Sequence, residues 1–342
     1  MSQVVEHLAE LTGYRDRDVL DVTLVGALRD VLRPSCVAIY RCVGDVGSMR
    51  WITRARQAAG DIAATADPLW AELESLPKLA DFPERQACME QGQNRVIHGA
   101  IERTLFPLST DREVVGVLEV DSLNPLSREE VSLVSGILRV YRNFQGLLDY
   151  SERDTLTGLL NRKTFDDAFL RSGAASRLSG DVLGDGDRRL VARVGVWLGV
   201  IDIDHFKHVN DNFGHLIGDE VLLLLSRLMR SCFRLHDQLY RFGGEEFVVL
   251  LRAGTVDDAA AAFERMRGTV QSYAFPQVGS ITVSVGFTDV RPGDTPSGAF
   301  ERADKAVYHA KQKGRNQVAS HSALVACGVF SDDSRESDVE LF

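Results

Sequence analysis

One short segment, Arg241-Phe242-Gly243-Gly244-Glu245-Glu246-Phe247, has residue types and spacing suited to a phosphate chain. The apolar runs Leu239–Phe242 and Phe247–Leu251 flank two glycines, the pattern of a β-hairpin with glycine at its turn. Gly243 and Gly244 permit positive φ and let phosphates approach the backbone closely. Glu245 and Glu246 follow at once. Adjacent strand residues point to opposite faces, so only one of the two can share a side with a given partner strand residue. Upstream, Val194–Ile201 is a short β-branched apolar run that ends in Asp202-Ile203-Asp204, a buried strand delivering carboxylates at its end. Hard cations such as magnesium take such oxygens. A strand-end aspartate and a hairpin glutamate beside a glycine turn describe a magnesium and triphosphate site. They equally describe a tight hairpin carrying surface acids.

Positioning these groups takes a folded α/β scaffold. The helix expected to open at Gly218-Asp219-Glu220 carries Val221, Leu222, Leu225, Leu228, Met229 and Cys232 at helical spacing, a core stripe. At that opening Asp219 would also suit the helix dipole. Residues 1–126 alternate helical and strand-like stretches, ending in the strand-like Glu113–Val120. Ser127 and Glu130 then form a capping box that opens a long helix over 127–152. Along it Val134, Ile137, Tyr141, Phe144 and Leu148 recur at three- and four-residue steps. Such a stripe predicts a dimerising coiled-coil seam, or the last helix of the first domain packed on its own core. Residues 171–187, rich in Gly, Ser and Asp, read as a surface loop, and 321–342 as an acidic flexible tail.

The bulk properties narrow the function classes. A chain of 342 residues suggests two domains, and 44% hydrophobic with 26% charged residues is ordinary for a folded protein. A net charge of -10 disfavours nonspecific contact with nucleic acid or anionic membrane. No apolar run approaches the roughly 20 residues that cross a bilayer, and Met1–His7 lacks a signal-peptide layout, so a cytoplasmic place is expected. Five scattered cysteines, Cys36, Cys42, Cys88, Cys232 and Cys327, read as reduced thiols without a zinc or redox pair.

Five ordered blocks resemble the GGDEF family of diguanylate cyclases over about residues 150–320. They are Asp154-x-Leu156-Thr157-Gly158-Leu159-x-Asn161-Arg162, then Asp202–Lys207 with Asn210-Asp211, Gly214-His215 and Gly218-Asp219, then the Gly-Gly-Glu-Glu-Phe hairpin, then Ser284-Val285-Gly286, then Ala303-Asp304 through Tyr308, Lys311 and Gly314-Arg315-Asn316. The resemblance implies a palm-like cyclase domain, with a mostly antiparallel sheet flanked by helices, over 153–320. It implies that two GTP are joined into cyclic di-GMP with Mg2+ or Mn2+. Asp202, the Ile203 carbonyl, Glu245 and Glu246 would hold metal, with Glu246 a second-metal ligand or an aid to deprotonating the attacking hydroxyl. Asn210 and Asp219 would read guanine. The amides of His205, Phe206 and Lys207 would cradle phosphates beside Gly243 and Gly244, and Lys311 and Arg315 would neutralise the outer ones. Arg234 and Asp237, an Arg-x-x-Asp separated from Gly243 by five residues, would form with Arg265 a product-binding inhibitory site. A homodimer is implied, since each domain supplies half a site.

Residues 1–126 resemble a GAF domain, an α/β sensor for a small molecule or a protein signal that nothing in the sequence identifies. His98 and Cys88 could touch a cofactor there, though a lone His or Cys more often serves structure. A rival reading is a catalytically inactive module that binds GTP or cyclic di-GMP, which would be expected to lose Asp202, Glu245 or Glu246; all are present. A purely structural dimerisation module would not need the nucleotide blocks, and Asp219, which matches the guanine edge, argues against a cyclase of mixed dinucleotides.

Overall fold

The computed structural model describes residues 17–44, 47–68, 73–110, 113–170, 195–234 and 236–330, with residues 6, 9 and 12 in addition. The chain divides into two compact units, Met1–Ser151 and Glu152–Phe342.

In the first unit, α1 (Arg17–Leu32) precedes β1 (Cys36–Val43) and β2 (Arg50–Ala58), followed by α2 (Pro83–Gln91), β3 (Arg95–Ile97), β4 (Glu102–Ser109), β5 (Val114–Ser122) and α3 (Arg128–Glu152). The strands form an antiparallel sheet in the order β2-β1-β5-β4-β3. Period-two alternation divides its side chains between two cores. Leu118, Val120, Phe106 and Leu108 meet Leu20, Leu24 and Leu28 of α1, while Val117, Leu105 and Trp51 meet Cys88 of α2.

The α3 capping box forms as expected, with the Ser127 amide 2.8 Å from a Glu130 carboxylate and the Glu130 amide 3.2 Å from Ser127 Oγ. The stripe expected as a coiled-coil seam is spent elsewhere. Val134, Ile137, Tyr141 and Leu148 are buried in the first unit's own core, with Phe144 packed beside them. Tyr141 also closes a buried polar knot: its hydroxyl meets Asp21 of α1 and accepts from Arg41 of β1 at 2.7 Å and from Gln145 at 2.8 Å.

In the second unit, β6 (Leu160–Asn161) leads into α4 (162–170). Then come β7 (Gly195–Ile203), α5 (Phe206–Phe213), α6 (His215–Cys232), β8 (Gln238–Gly243), β9 (Glu246–Ala253), α7 (Val256–Ser272), β10 (Ala274–Phe275), β11 (Gly279–Ser280), β12 (Val283–Asp289), α8 (Pro296–Gln312), β13 (Val318–Ser320) and α9 (His321–Ala326). The main sheet runs β13-β12-β7-β9-β8-β6, antiparallel except at its two edge pairs. One face packs α5, α6 and α7 through Ile201, Phe247, Val249 and Val285. The other packs α4 and α8 through Val200, Val248, Leu250 and Tyr240.

Two further expectations are corrected. Helix α6 starts at His215, behind Gly214 at φ 83°, three residues before the expected opening, and its core stripe is otherwise as expected. Residues 321–330 are not a flexible tail: Ser320 caps α9, His321 is buried, and the Phe330 ring stacks on it at 5.6 Å. The loop expected over 171–187 and the acidic stretch 331–342 lie outside the described residues. Among the described residues, no helix is long and apolar enough to cross a membrane.

Gly286 explains why a glycine follows Ser284-Val285. A Cβ there would stand 2.3 Å from both the Ala303 carbonyl and the Val307 amide, so strand β12 and helix α8 touch backbone to backbone. Helix α8 carries Lys311. Gly286→Ala should therefore push α8 outward and cost about 1–3 kcal/mol or more, the usual penalty of overpacking. Urea denaturation of the full chain checks this, and wild-type stability would contradict the close-approach account.

Candidate functional site

The strand ends of the second unit bring carboxylates together. Asp202, at the end of β7, stands directly opposite Glu246, the first residue of β9, and both share the face of Val200 and Val248. Like charges directly opposed across a ladder repel. The sequence left open which glutamate would share a side with Asp202, and the register selects Glu246. Glu245 sits at the turn. Burial pushes the Asp202 carboxyl above the usual range despite the Lys311 ammonium, whose Nζ is 2.7 Å from Oδ1. Burial and then Asp202 raise Glu245; burial, Asp304 and Asp202 raise Glu246. Asp304, one α8 turn before Tyr308, is thus a fourth acid of the cluster, named in a sequence block but given no role there.

Hard oxygen donors crowded enough to disfavour their own ionisation fit a divalent cation. Among the described residues, no three acidic, histidine or cysteine side chains already stand in metal-holding geometry. The Lys311 ammonium meets part of that demand, so Lys311 pairs with a carboxylate here rather than standing free for phosphate.

The hairpin is held by a clamp. Gly243 and Gly244 have φ of 148° and 52°, and a Cβ on either would meet nothing within 4 Å, so they are there for conformation, with open space above them. Arg241 places Nη2 2.8 Å and Nε 3.1 Å from the Gly244 carbonyl. Its Nη1 is 3.0 Å from Asp154 Oδ1. The same oxygen accepts from the Thr157 amide at 2.8 Å and its hydroxyl at 2.7 Å. Burial opposes the Asp154 charge, but the Thr157 and Arg241 bonds outweigh it and hold the carboxyl below the usual range. The upstream block therefore fixes the turn, a role its sequence gave no direct sign of.

Beyond β7, Asp204 is a buried tie. It accepts from Thr282 and Ser284 hydroxyls at 2.7 Å each and from the Asn316 amide at 3.0 Å. His205 follows in the left-handed region at φ 59° and turns the chain into α5, leaving Phe206 and Lys207 as the first helical residues. Phe206 is buried, and His205 and Lys207 are exposed. Asn210 lies against Gly218: a Cβ at 218 would stand 2.1 Å from Asn210 Oδ1, so that glycine makes room for the side chain. Asp219 is exposed one residue on; as the fifth residue of α6 it is no first-turn acid, so the expected service to the helix dipole falls away. Arg315 is exposed at φ 64°, next to the Asn316 tied by Asp204.

Arg234, Asp237 and Arg265 converge at the other end of α6. Asp237 is buried, accepts from the Arg234 amide at 2.8 Å, and has its carboxyl raised chiefly by burial. Arg265 Nη2 is 2.8 Å from the Cys232 carbonyl. In the first unit, His98 is exposed and bonded to Glu102 at 2.8 Å, while Cys88 is buried with its thiol pushed up to about 11. All five cysteines are free.

Residues 187–317 match the family model described as "Diguanylate cyclase, GGDEF domain". The second unit carries a GGDEF domain. This chain is 40% identical over 169 residues to diguanylate cyclase DgcP of Pseudomonas aeruginosa, covering 48% of this chain and 23% of that one. It is 35% identical over 170 residues to diguanylate cyclase DgcZ of Escherichia coli, covering 49% and 52%. Among solved structures it is similar to the GGDEF domain of DgcB from Caulobacter crescentus in complex with c-di-GMP, with 33% identity, a TM-score of 0.45, and 50% of this chain and 96% of that chain covered. The match thus spans from under a quarter to about half the length of these two curated relatives.

The clamp carries a testable consequence. Asp154→Ala should cost about 2 kcal/mol through lost charge-assisted bonds and speed amide hydrogen exchange at residues 243–247. Since the folded Asp154 carboxyl sits below its unfolded value, its stabilisation is present above the unfolded pKa of about 3.9 and is lost as pH falls through the lower folded value. Unchanged exchange at the turn would remove the clamp role.

Proposed function

We propose that this protein is a diguanylate cyclase that joins two GTP into cyclic di-GMP with release of two pyrophosphates. The observation that carries the reading is the opposed pair Asp202 and Glu246 at the end of a GGDEF sheet, with Glu245 at the turn beside it. The curated relatives named diguanylate cyclases support it.

Asp202, the Ile203 carbonyl, Glu245 and Glu246 would hold Mg2+ or Mn2+, which when bound supplies charge stabilisation to the phosphoryl group in transfer. Asn210, held in place by the room at Gly218, and Asp219 would hydrogen-bond the guanine edge. The amides at His205, Phe206 and Lys207, with open space over Gly243 and Gly244, would take the phosphates, and Lys311 and Arg315 would balance the outer charge. Lys311 must leave Asp202 to do so, which couples its release to the arrival of other positive charge at that carboxylate. Glu246, with its carboxyl raised by burial, is suited to accept the proton of the attacking ribose 3′-hydroxyl. The 3′-oxygen then bonds to the α-phosphorus of the second GTP as the α–β bridging bond breaks and pyrophosphate departs with its electron pair. Each domain supplies one nucleotide, so the reaction needs a homodimer.

We further infer that the domain spans 153–320, with residues 1–126 a GAF-like sensor and 127–152 the connecting helix. The antiparallel order β2-β1-β5-β4-β3 with helices on both faces supports the sensor reading. Arg234, Asp237 and Arg265 would bind product as a brake.

Purified full-length protein with GTP and Mg2+ should form cyclic di-GMP, and Glu246→Gln should abolish it. That variant should also be more stable than wild type without metal, by up to about 1 kcal/mol, because it removes one of two opposed like charges. The sign follows from the raised folded pKa: the cost of the carboxylate is present above that pKa and vanishes below the unfolded one. By the same shifts, which belong to the metal-free site, divalent-cation binding should weaken on acidification at higher pH than exposed carboxylates titrate. GTP binding without product would leave only the inactive binding module. Arg234→Ala should relieve any product plateau in progress curves, and an unchanged plateau would remove the brake.

A further inference from the structure

Arg162 closes the first sequence block, yet neither the turn clamp nor the nucleotide site described above uses it. The parallel pairing of β6 with β8, Leu160 with Tyr240 and Asn161 with Arg241, carries Arg162 to the level of Phe242, one residue before the glycine turn. Its guanidinium carbon lies 5.4 Å from the centroid of the Phe242 ring, within cation–π range. That ring is itself stacked on Phe300 of α8 at 5.2 Å and packed edge-on to Phe165 of α4 at 5.0 Å.

The backbone under Arg162 is fixed. Asn161 Oδ1 accepts from the Thr164 amide at 3.1 Å, capping α4, and the Thr164 hydroxyl, 3.0 Å from that oxygen and 2.8 Å from the Glu152 carbonyl, has one proton to donate between them. The head group is not. Arg162 is exposed and, among the described residues, has no hydrogen-bond or ion-pair partner. Its charge nonetheless acts on Glu246, lowering that carboxyl against the larger effects that raise it.

The catalytic face is therefore bracketed by cations from the two helices that cover it. Lys311 of α8 stands on the Asp202 side, bonded to a carboxylate. Arg162 of α4 stands on the side of the β8–β9 hairpin with its fork free. An arginine fork matches two phosphate oxygens at once and needs no counter-charge when phosphate is absent. We propose that Arg162 is a further catalytic residue, whose guanidinium contacts the non-bridging oxygens of the α-phosphoryl group during transfer, from the side opposite Lys311. This rests on the diguanylate cyclase reading. As the 3′-oxygen bonds to the α-phosphorus and the bond to pyrophosphate breaks, negative charge grows on those oxygens, and a fixed cation there is worth more in the transition state than in the ground state.

The test compares full-length wild type, Arg162→Ala and Arg162→Lys with GTP and with GTP carrying sulfur on its α-phosphate. Loss of one such donor should lower kcat about 100-fold while the GTP KM stays within about threefold. Arg162→Lys, which keeps the charge and loses the fork, should fall between. In wild type the α-sulfur should slow turnover further, and in Arg162→Ala most of that extra slowing should disappear, which a merely structural role would not produce. A kcat near wild type in Arg162→Ala, or a lower kcat with the sulfur effect intact, overturns the assignment while leaving the cyclase reading standing. A wild type that makes no product overturns both.

Discussion

Asp202 and Glu246 face each other across two neighbouring strands at the point where the sheet ends, and much of the second unit is arranged around that repulsion. Two carboxylates so placed are a stability cost in water and a larger one when half-buried. The fold tolerates the pair because the strands behind it are anchored by apolar layers on both faces. It reduces the cost by delivering Lys311 from α8 to Asp202. Raised carboxyl pKa values are the trace of what remains uncompensated. A site in this state has a standing preference for added positive charge, which is the property a metal-assisted phosphoryl transfer requires.

Holding that pair in register depends on backbone contacts more than on further charges. Gly286 lets α8 lie against β12, which sets where Lys311 emerges. Gly218 leaves room for Asn210. Asp204 ties the exit of β7 to the start of β12 and to the turn at Asn316 through one carboxylate. Arg241 and Asp154 do the same for the glycine turn, joining a carbonyl that no strand partner satisfies to a loop over 80 residues earlier in the chain. None of these groups needs to touch a nucleotide to be required at its position.

The chemistry was largely legible in the sequence, and the supports were not. Asp202, Glu245 and Glu246 stand out because acids at a strand end and a hairpin turn, set between apolar runs, add nothing to the packing of those runs. Which glutamate opposes Asp202 depends on hairpin register, and the irregularity between Arg241 and Gly243 shifts that register by a residue that pattern alone does not reveal. Gly214 and Gly218 are both candidate boundaries for α6 in the sequence, and the φ of 83° at Gly214 makes it the cap. Asp154, Asp204 and Asp304 look alike as isolated acids, while their roles as clamp, tie and electrostatic neighbour come from partners distant in sequence.

The stripe on α3 shows the same limit in the first unit. Three- and four-residue spacing is what a helix needs to bury one side, whether against a second copy or its own sheet. Polarity at Tyr141 decides for the sheet: its hydroxyl sits in a buried knot with Gln145 of the same helix, Asp21 of α1 and Arg41 of β1. Buried polar groups are costly unless fully partnered, so such a knot tolerates one rotation of the helix and penalises others. The large apolar side chains that α3 leaves exposed are Leu147 and Tyr150, three residues apart near its end. A dimer contact made by this helix therefore uses its exposed side rather than the buried stripe, and a signal that rotates α3 must first break the Tyr141 knot.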